Sequence, residues 1–209
     1  TIKGKGYPPA EKNPDAFHGI GPFHQETGAL ITSKTAETFS SRFGHDLTEL
    51  AKQDPRICAI TAAMTSGTGL AAFSKAFPDR FFDVGIAEEH AVTMTAGMAK
   101  QGLIPVFAVY STFFQRSYDM LMHDIAIDHI HAVFGIDRAG FVGDDGETHH
   151  GLFDLGFLQT IPGITVLCPA SLDELSDMLE RAIHRMDGPV AVRYPRGGEN
   201  FYSENHSRA

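Results

Sequence analysis

The chain has 209 residues, enough for one large domain with a sizeable core, and its 43% hydrophobic and 21% charged residues are ordinary for a globular protein. A net charge of −9 argues against a nucleic-acid partner, which needs a basic face, although a few arginines can still dominate one pocket. No run has the length of a membrane span, no signal peptide is visible, and Cys58 and Cys168, each within an apolar run, read as two buried reduced thiols.

Residues 1–32 begin TIKGKGYPPAEKNP, basic and rich in turn formers, with repeated prolines and neither helical nor strand period. They read as a linker and the trailing edge of something that precedes, and the polar residues 198–209 read as a second linker. Between them, 33–197 form the domain. A helix is expected from a cap near Ser33, because Phe39, Phe43, Leu47 and Leu50 recur at helical spacing. RICAITAA then reads as a buried strand, MTSGTG as a glycine-bearing loop, and LAAFSKAFP as a short helix stopped by Pro78.

The second strand, RFFDVGI, precedes the helix EEHAVTMTAGMAKQG, closed by Gly102. LIPVFAVYS is a third strand, FFQRSYDMLMHDIAID a helix and HAVFGID a fourth strand. RAGFVGDDGETHHG is a long glycine-rich loop without secondary structure. Helix LFDLGFLQTI, strand ITVLCPA, helix SLDELSDMLERAIHRM and strand PVAVRYP complete the series. Continuously apolar strands alternating with helices predict an α/β fold: a doubly wound, mainly parallel six-stranded sheet with helices on both faces.

Met64, Glu88, Tyr110, Arg138 and Asp145 all follow C-terminal ends of strands, the edge where such sheets bind ligands. Position alone leaves Glu88 with two readings, a site carboxylate or an acid that favours its helix N-terminus. Tyr110, Phe113 and Phe114 with Arg116 would suit a flat heteroaromatic ring and an anion, though each phenylalanine alone could be core. His149 and His150 are equally open, as proton carriers or as solvent-exposed loop residues. His123, His129 and His131 straddle a helix end and a strand, so their side chains should scatter rather than bind metal. A Walker lysine is absent, as is a dinucleotide fingerprint after the first strand.

FDVGIAEEHAV, PVFAVYSTFFQRSYDMLMHDIAI, IDRAGFVGDDGETHHG and AVRYPRG, in this order, resemble successive motifs of the 1-deoxy-D-xylulose-5-phosphate synthase family, transketolase-like enzymes dependent on thiamine diphosphate. The resemblance covers nearly the whole chain. It implies a transferase that joins pyruvate to glyceraldehyde 3-phosphate with loss of carbon dioxide, at the entry to non-mevalonate isoprenoid and thiamine precursor synthesis. It also implies a homodimer in the cytoplasm or plastid stroma. This chain corresponds to the central, pyrimidine-binding domain of three.

By the same resemblance, Glu88 hydrogen-bonds the aminopyrimidine and shuttles its proton, Phe113 stacks on that ring, and Met64 and Tyr110 adjoin it. Tyr110, Arg138 and Arg196 hold the substrate, the arginines through its phosphate, while Arg116, Asp145 and His149 contact the pyruvate-derived part, His149 as a second catalytic group. The chain departs from the family at Thr65 and Ser66, where some members carry charges. The motif that binds magnesium and diphosphate is absent too, since GDDG at 143–146 belongs to another loop. Magnesium and diphosphate are therefore expected in the preceding domain, no metal here, and the isolated chain is expected to be inactive. Two rivals are a separately encoded transketolase-like subunit and a non-catalytic assembly domain of the same fold.

Overall fold

The computed structural model describes residues 2, 4–14, 16–18, 20–31 and 36–199, without the side chain of Asp144. The chain forms two compact units, Thr1–Ala36 and Glu37–Ala209. In the first, the proline-rich stretch does contain a helix, α1 (Pro8–Lys12). A proline at the first helical position loses no hydrogen bond there and arrives with helical φ, so a segment without hydrophobic period still makes one turn. Tyr7, Phe17 and Phe23 cluster beside it, with ring centroids 5.4–5.9 Å apart.

The second unit alternates helix and strand: α2 (Phe39–Gln53), β1 (Ile57–Thr61), α3 (Ala71–Ala76), β2 (Phe81–Asp83), α4 (Glu88–Lys100) and β3 (Ile104–Tyr110). After β3 come α5 (Ser111–Phe114), a 3₁₀ turn at Gln115–Ser117, α6 (Tyr118–Met120) and a π-helical turn at Leu121–Ala126. The series ends with β4 (Ala132–Asp137), α7 (Asp154–Leu158), β5 (Thr165–Leu167), α8 (Leu172–His184) and β6 (Pro189–Arg193). Ser33 lies outside the described residues. The cap of α2 is Thr38, whose side chain accepts from the Ser41 N–H while Ser41 reaches back to the Thr38 N–H. The single long helix expected after β3 is instead four short segments of differing pitch.

The six strands pair in the order β2-β1-β3-β4-β6-β5, and all five pairings are parallel. Alternate residues of each central strand feed opposite layers. Ile57, Ala59, Val106, Val133 and Val190 pack with Phe39, Phe43, Leu47 and Leu175 of α2 and α8. Ile60, Phe107, Phe134 and Ala191 pack with Val92, Phe114 and Leu121 on the other side. Burial on both faces explains why these strands are apolar throughout.

From β1 the chain crosses to β2 on one side and then returns to β3 on the other. The C-terminal ends of β1 and β3 therefore border a crevice, the usual ligand position in such a sheet. The three-residue edge strand β5 is only partly buried, and Cys168 just beyond it is exposed, whereas Cys58 in β1 is buried. The expectation of two buried thiols thus fails for Cys168, because an apolar run at a sheet edge is covered on fewer sides.

Helix α2 is held against the loop after β1 by glycine at both contact points. A Cβ on Gly44 would lie 1.9 Å from the Gly69 carbonyl oxygen, and one on Gly69 would lie 2.0 Å from that of Ser40. Both obstacles are backbone, so no side chain can yield. Gly44→Ala is expected to cost at least about 1–3 kcal/mol through this overpacking. Urea unfolding of the purified chain measures it, as a lower midpoint with an unchanged slope.

Candidate ligand site at the carboxyl edge of the sheet

Asp83 closes β2 and ties two loops together. Its Oδ1 accepts from the N–H groups of Ala63 (2.8 Å) and Gly85 (3.0 Å), and its Oδ2 accepts from the Thr65 hydroxyl at 3.0 Å. Five residues on, Glu88 begins α4 and is only 2% exposed. Arg116, from the 3₁₀ turn, donates through Nη1 to both Glu88 oxygens at 3.1 Å. Glu89 is half-buried and His90 exposed, so the first acid alone turns inward.

The Arg116 guanidinium lies 5.4 Å from the Phe113 ring centroid. Phe113 stacks on Tyr110 (5.9 Å, 16°) and meets the His149 ring edge-on at 5.3 Å. Met64 packs into the core layer that includes Ala91 and Val92, while its carbonyl accepts from the Thr68 N–H and hydroxyl.

Beside this group lies a cavity of about 570 Å³, lined by Thr38, Ser40, Ser66, Gly67, Arg138 and Arg196 among others. Arg138 follows β4 directly and has φ +60°, a left-handed backbone that non-glycine residues seldom adopt. Its guanidinium covers the Tyr110 ring at 4.1 Å and donates through Nη1 to the Gly67 carbonyl (2.6 Å) and the Ser40 hydroxyl (3.1 Å). Asp145 Oδ2 sits 3.4 Å from Nε of both Arg138 and Arg196. Burial pushes the Tyr110 phenol up, opposed by the charge of Arg138. Burial likewise pushes up the carboxyl of Asp137, which is fully enclosed next to Arg138.

The 138–151 loop is more structured than a free loop. Gly140 and Gly151 exchange two backbone hydrogen bonds of 2.8 Å, and 3₁₀ turns occupy Gly143–Asp145 and Glu147–His149. His150 Nδ1 accepts from the Val142 N–H at 3.0 Å, which commits this histidine to the loop's own architecture. His149 pairs with the Thr148 hydroxyl and faces the aromatic rings. At the loop's base, Arg193 donates to the buried Asp154 (2.6 Å) and to the Gly151 carbonyl (3.2 Å).

Two groups of expected residues therefore assemble. Glu88, Arg116, Phe113 and His149 form one, Arg138, Asp145 and Arg196 the other, and Tyr110 touches both. Ser40, Gly67, Asp137 and Tyr194 also belong here, although none is among the candidate site residues read from the sequence. Ser40 looks like a helix-surface serine, and only the packing of α2 against β4 brings it to Arg138. Of the three histidines between helix and β4, His131 contacts the carbonyls of Gly188 and Ile183, the His129 ring fills the space that a Gly188 side chain would need, and His123 is exposed beside Asp119. Among the described residues, no three metal-binding side chains converge.

Truncating Arg116 would leave Glu88 buried with its charge uncompensated. A double-mutant cycle of Arg116→Ala and Glu88→Gln is expected to give a coupling of about 1–2 kcal/mol in urea unfolding. That is less than for a fully buried pair, because the Arg116 side chain is 47% exposed. Additive single variants would show that the pair contributes nothing.

Residues 37–199 match the family described as "Transketolase, pyrimidine binding domain". A 1-deoxy-D-xylulose-5-phosphate synthase of Clostridium kluyveri is 57% identical over 97% of this chain and 32% of its own length. One from Desulfotalea psychrophila is 55% identical over 94% of this chain and 30% of its own. The chain thus spans about a third of these relatives. Among solved structures, a split-gene transketolase described as an inactive β4 tetramer superposes with TM-score 0.69 at 27% identity, covering 78% of this chain and 52% of that one. A transketolase from Leishmania mexicana superposes with TM-score 0.67 at 20% identity, over 80% of this chain and 27% of that one, a likeness of fold. The six-stranded parallel sheet and the match over 37–199 together establish that this chain belongs to the transketolase pyrimidine-binding domain family.

Proposed function

We propose that this chain supplies the pyrimidine-binding half of the cofactor site in a 1-deoxy-D-xylulose-5-phosphate synthase, a transferase that joins pyruvate to glyceraldehyde 3-phosphate. The observation that carries this reading is Glu88, a buried carboxylate at the head of α4 on the sheet's ligand edge, in a chain 57% identical to a synthase. The residues suit thiamine diphosphate: a buried acid for a ring nitrogen, the face of Phe113 for the ring, and Met64 and Tyr110 near its edge. When bound, the cofactor supplies the electron sink through which pyruvate loses carbon dioxide.

Glu88 holds a proton at a carboxyl oxygen and exchanges it with the pyrimidine nitrogen, a general acid–base role. Arg116, already on Glu88, reaches the pyruvate-derived carboxylate, and His149 moves a proton at the same place. Arg138 and Arg196 take the acceptor's phosphate by charge-assisted hydrogen bonds, with Tyr110 beneath and Asp145 between them. Diphosphate and magnesium fall to a domain preceding this one, with 1–32 and 198–209 as linkers, and the assembly is a cytoplasmic homodimer. A second reading, a separately encoded subunit, is favoured by the likeness to the split-gene transketolase. Native mass spectrometry separates the two: a heteromer of two distinct gene products would support the subunit.

In the full synthase carrying this domain, Glu88→Ala is expected to lower turnover with both substrates by about 10²–10⁴-fold, the usual worth of a general acid–base group. Circular dichroism should stay unchanged. Wild-type turnover in that variant would reject the reading in favour of an assembly domain.

A further inference from the structure

The Arg138 guanidinium is held by hydrogen bonds at Nη1, by an ion pair at Nε and by the Tyr110 ring against its face. All its hydrogen bonds to described residues run through Nη1, to the Gly67 carbonyl and the Ser40 hydroxyl. Nε lacks a hydrogen-bond partner among the described residues, and only the 3.4 Å ion pair with Asp145 approaches it. Nε is itself enclosed, so Nη2 is the edge of the guanidinium left to the cavity that Arg138 lines. Its N–H groups suit a charge-assisted hydrogen bond to a phosphate or carboxylate.

Asp137 explains how that edge is presented. The last residue of β4, it is 0% exposed, and its Oδ1 accepts the Arg138 N–H at 2.7 Å while lying 3.1 Å from Nη1. One oxygen therefore grips both the backbone and the side chain of the same arginine. The backbone grip falls where φ is +60°, a conformation that a non-glycine residue keeps only where its surroundings hold it. The side-chain grip takes up the Nη1 side, so that rotation of the guanidinium would break contacts at three acceptors. The other oxygen, Oδ2, is buried without a hydrogen bond, as is the hydroxyl of the fully buried Tyr194. A buried unpaired acceptor is destabilising, an unusual feature for a carboxylate whose only task is stability.

We propose that Asp137 is a positioning residue for anion recognition: it fixes Arg138 before ligand arrives, so that the guanidinium lines the cavity in one orientation and selects a phosphorylated over an unphosphorylated acceptor. This rests on the reading of the cavity as the acceptor's phosphate site.

The test is the ratio of kcat/KM for glyceraldehyde 3-phosphate to that for glyceraldehyde, measured in the full synthase. Asp137→Ala is expected to lower this ratio at least about tenfold, equivalent to roughly 1.4 kcal/mol. The KM for pyruvate should stay unchanged. Asp137→Asn, whose amide oxygen can still accept the Arg138 N–H, should recover part of the ratio. A merely structural carboxylate would lower stability while leaving the ratio intact, and that result overturns the proposal. So does an equal loss with both acceptors.

Arg138→Ala runs beside it as the separate check on the cavity. If that variant keeps the ratio, the phosphate reading falls, and the role of Asp137 falls with it. If Arg138→Ala collapses the ratio but Asp137→Ala does not, only the positioning role is wrong. Should Asp137→Ala fail to fold, Ser40→Ala removes another Nη1 acceptor. It should lower the ratio in the same direction, and an unchanged ratio there overturns the proposal.

Discussion

The Arg138 guanidinium joins the ends of three neighbouring strands. It donates to Gly67 in the loop after β1, covers the Tyr110 ring that ends β3, and is gripped by Asp137 at the end of β4. Ser40 adds α2 to the same point. The loops at a sheet's carboxyl edge have no ladder of their own, so a charged, planar, multi-donor group at their centre does what strand pairing does below. Arginine suits this position because its donors are fixed in one plane and its charge is permanent.

That junction becomes a site because of the strand order. Crossovers leaving β1 toward β2 and β3 toward β4, in opposite directions, keep helices from covering the gap between β1 and β3, and the side chains at that gap are those that the loops bring. Tyr110 stands at the middle of it. One contact of its ring is Phe113, on the side of Glu88 and Arg116, and the other is Arg138, on the side of the cavity. An aromatic half and a cationic half are thus built against a shared wall. That arrangement suits a reaction in which a heteroaromatic cofactor and a phosphorylated substrate must meet.

Charge is handled differently in the two halves. Glu88 pairs with a half-exposed arginine that enters from a short 3₁₀ turn, so its carboxylate stays within reach of a ligand. Around Arg138, by contrast, Asp137, Asp145 and Tyr194 all carry buried atoms without hydrogen bonds. Among the described residues the hydroxyls of Ser111 and Ser117 are the other buried side-chain atoms without partners, so most such groups gather around Arg138, at a local cost in stability.

The sequence by itself determined the layered α/β fold, six parallel strands and the candidate residues at their ends, because burial on both sheet faces leaves an unbroken apolar signature and helices leave their period. It failed where the local signal was weak or misleading. The turn α1 starts on prolines, the π turn differs from α-helix only in pitch, and Cys168 is exposed because β5 lies at an edge. What only the tertiary structure decided was which polar residues meet. Ser40 and Gly67 are 98 and 71 residues from Arg138 in sequence. Their convergence on it depends on strand order and on the glycine contact between α2 and the loop after β1, and such long-range packing writes no pattern into neighbouring residues.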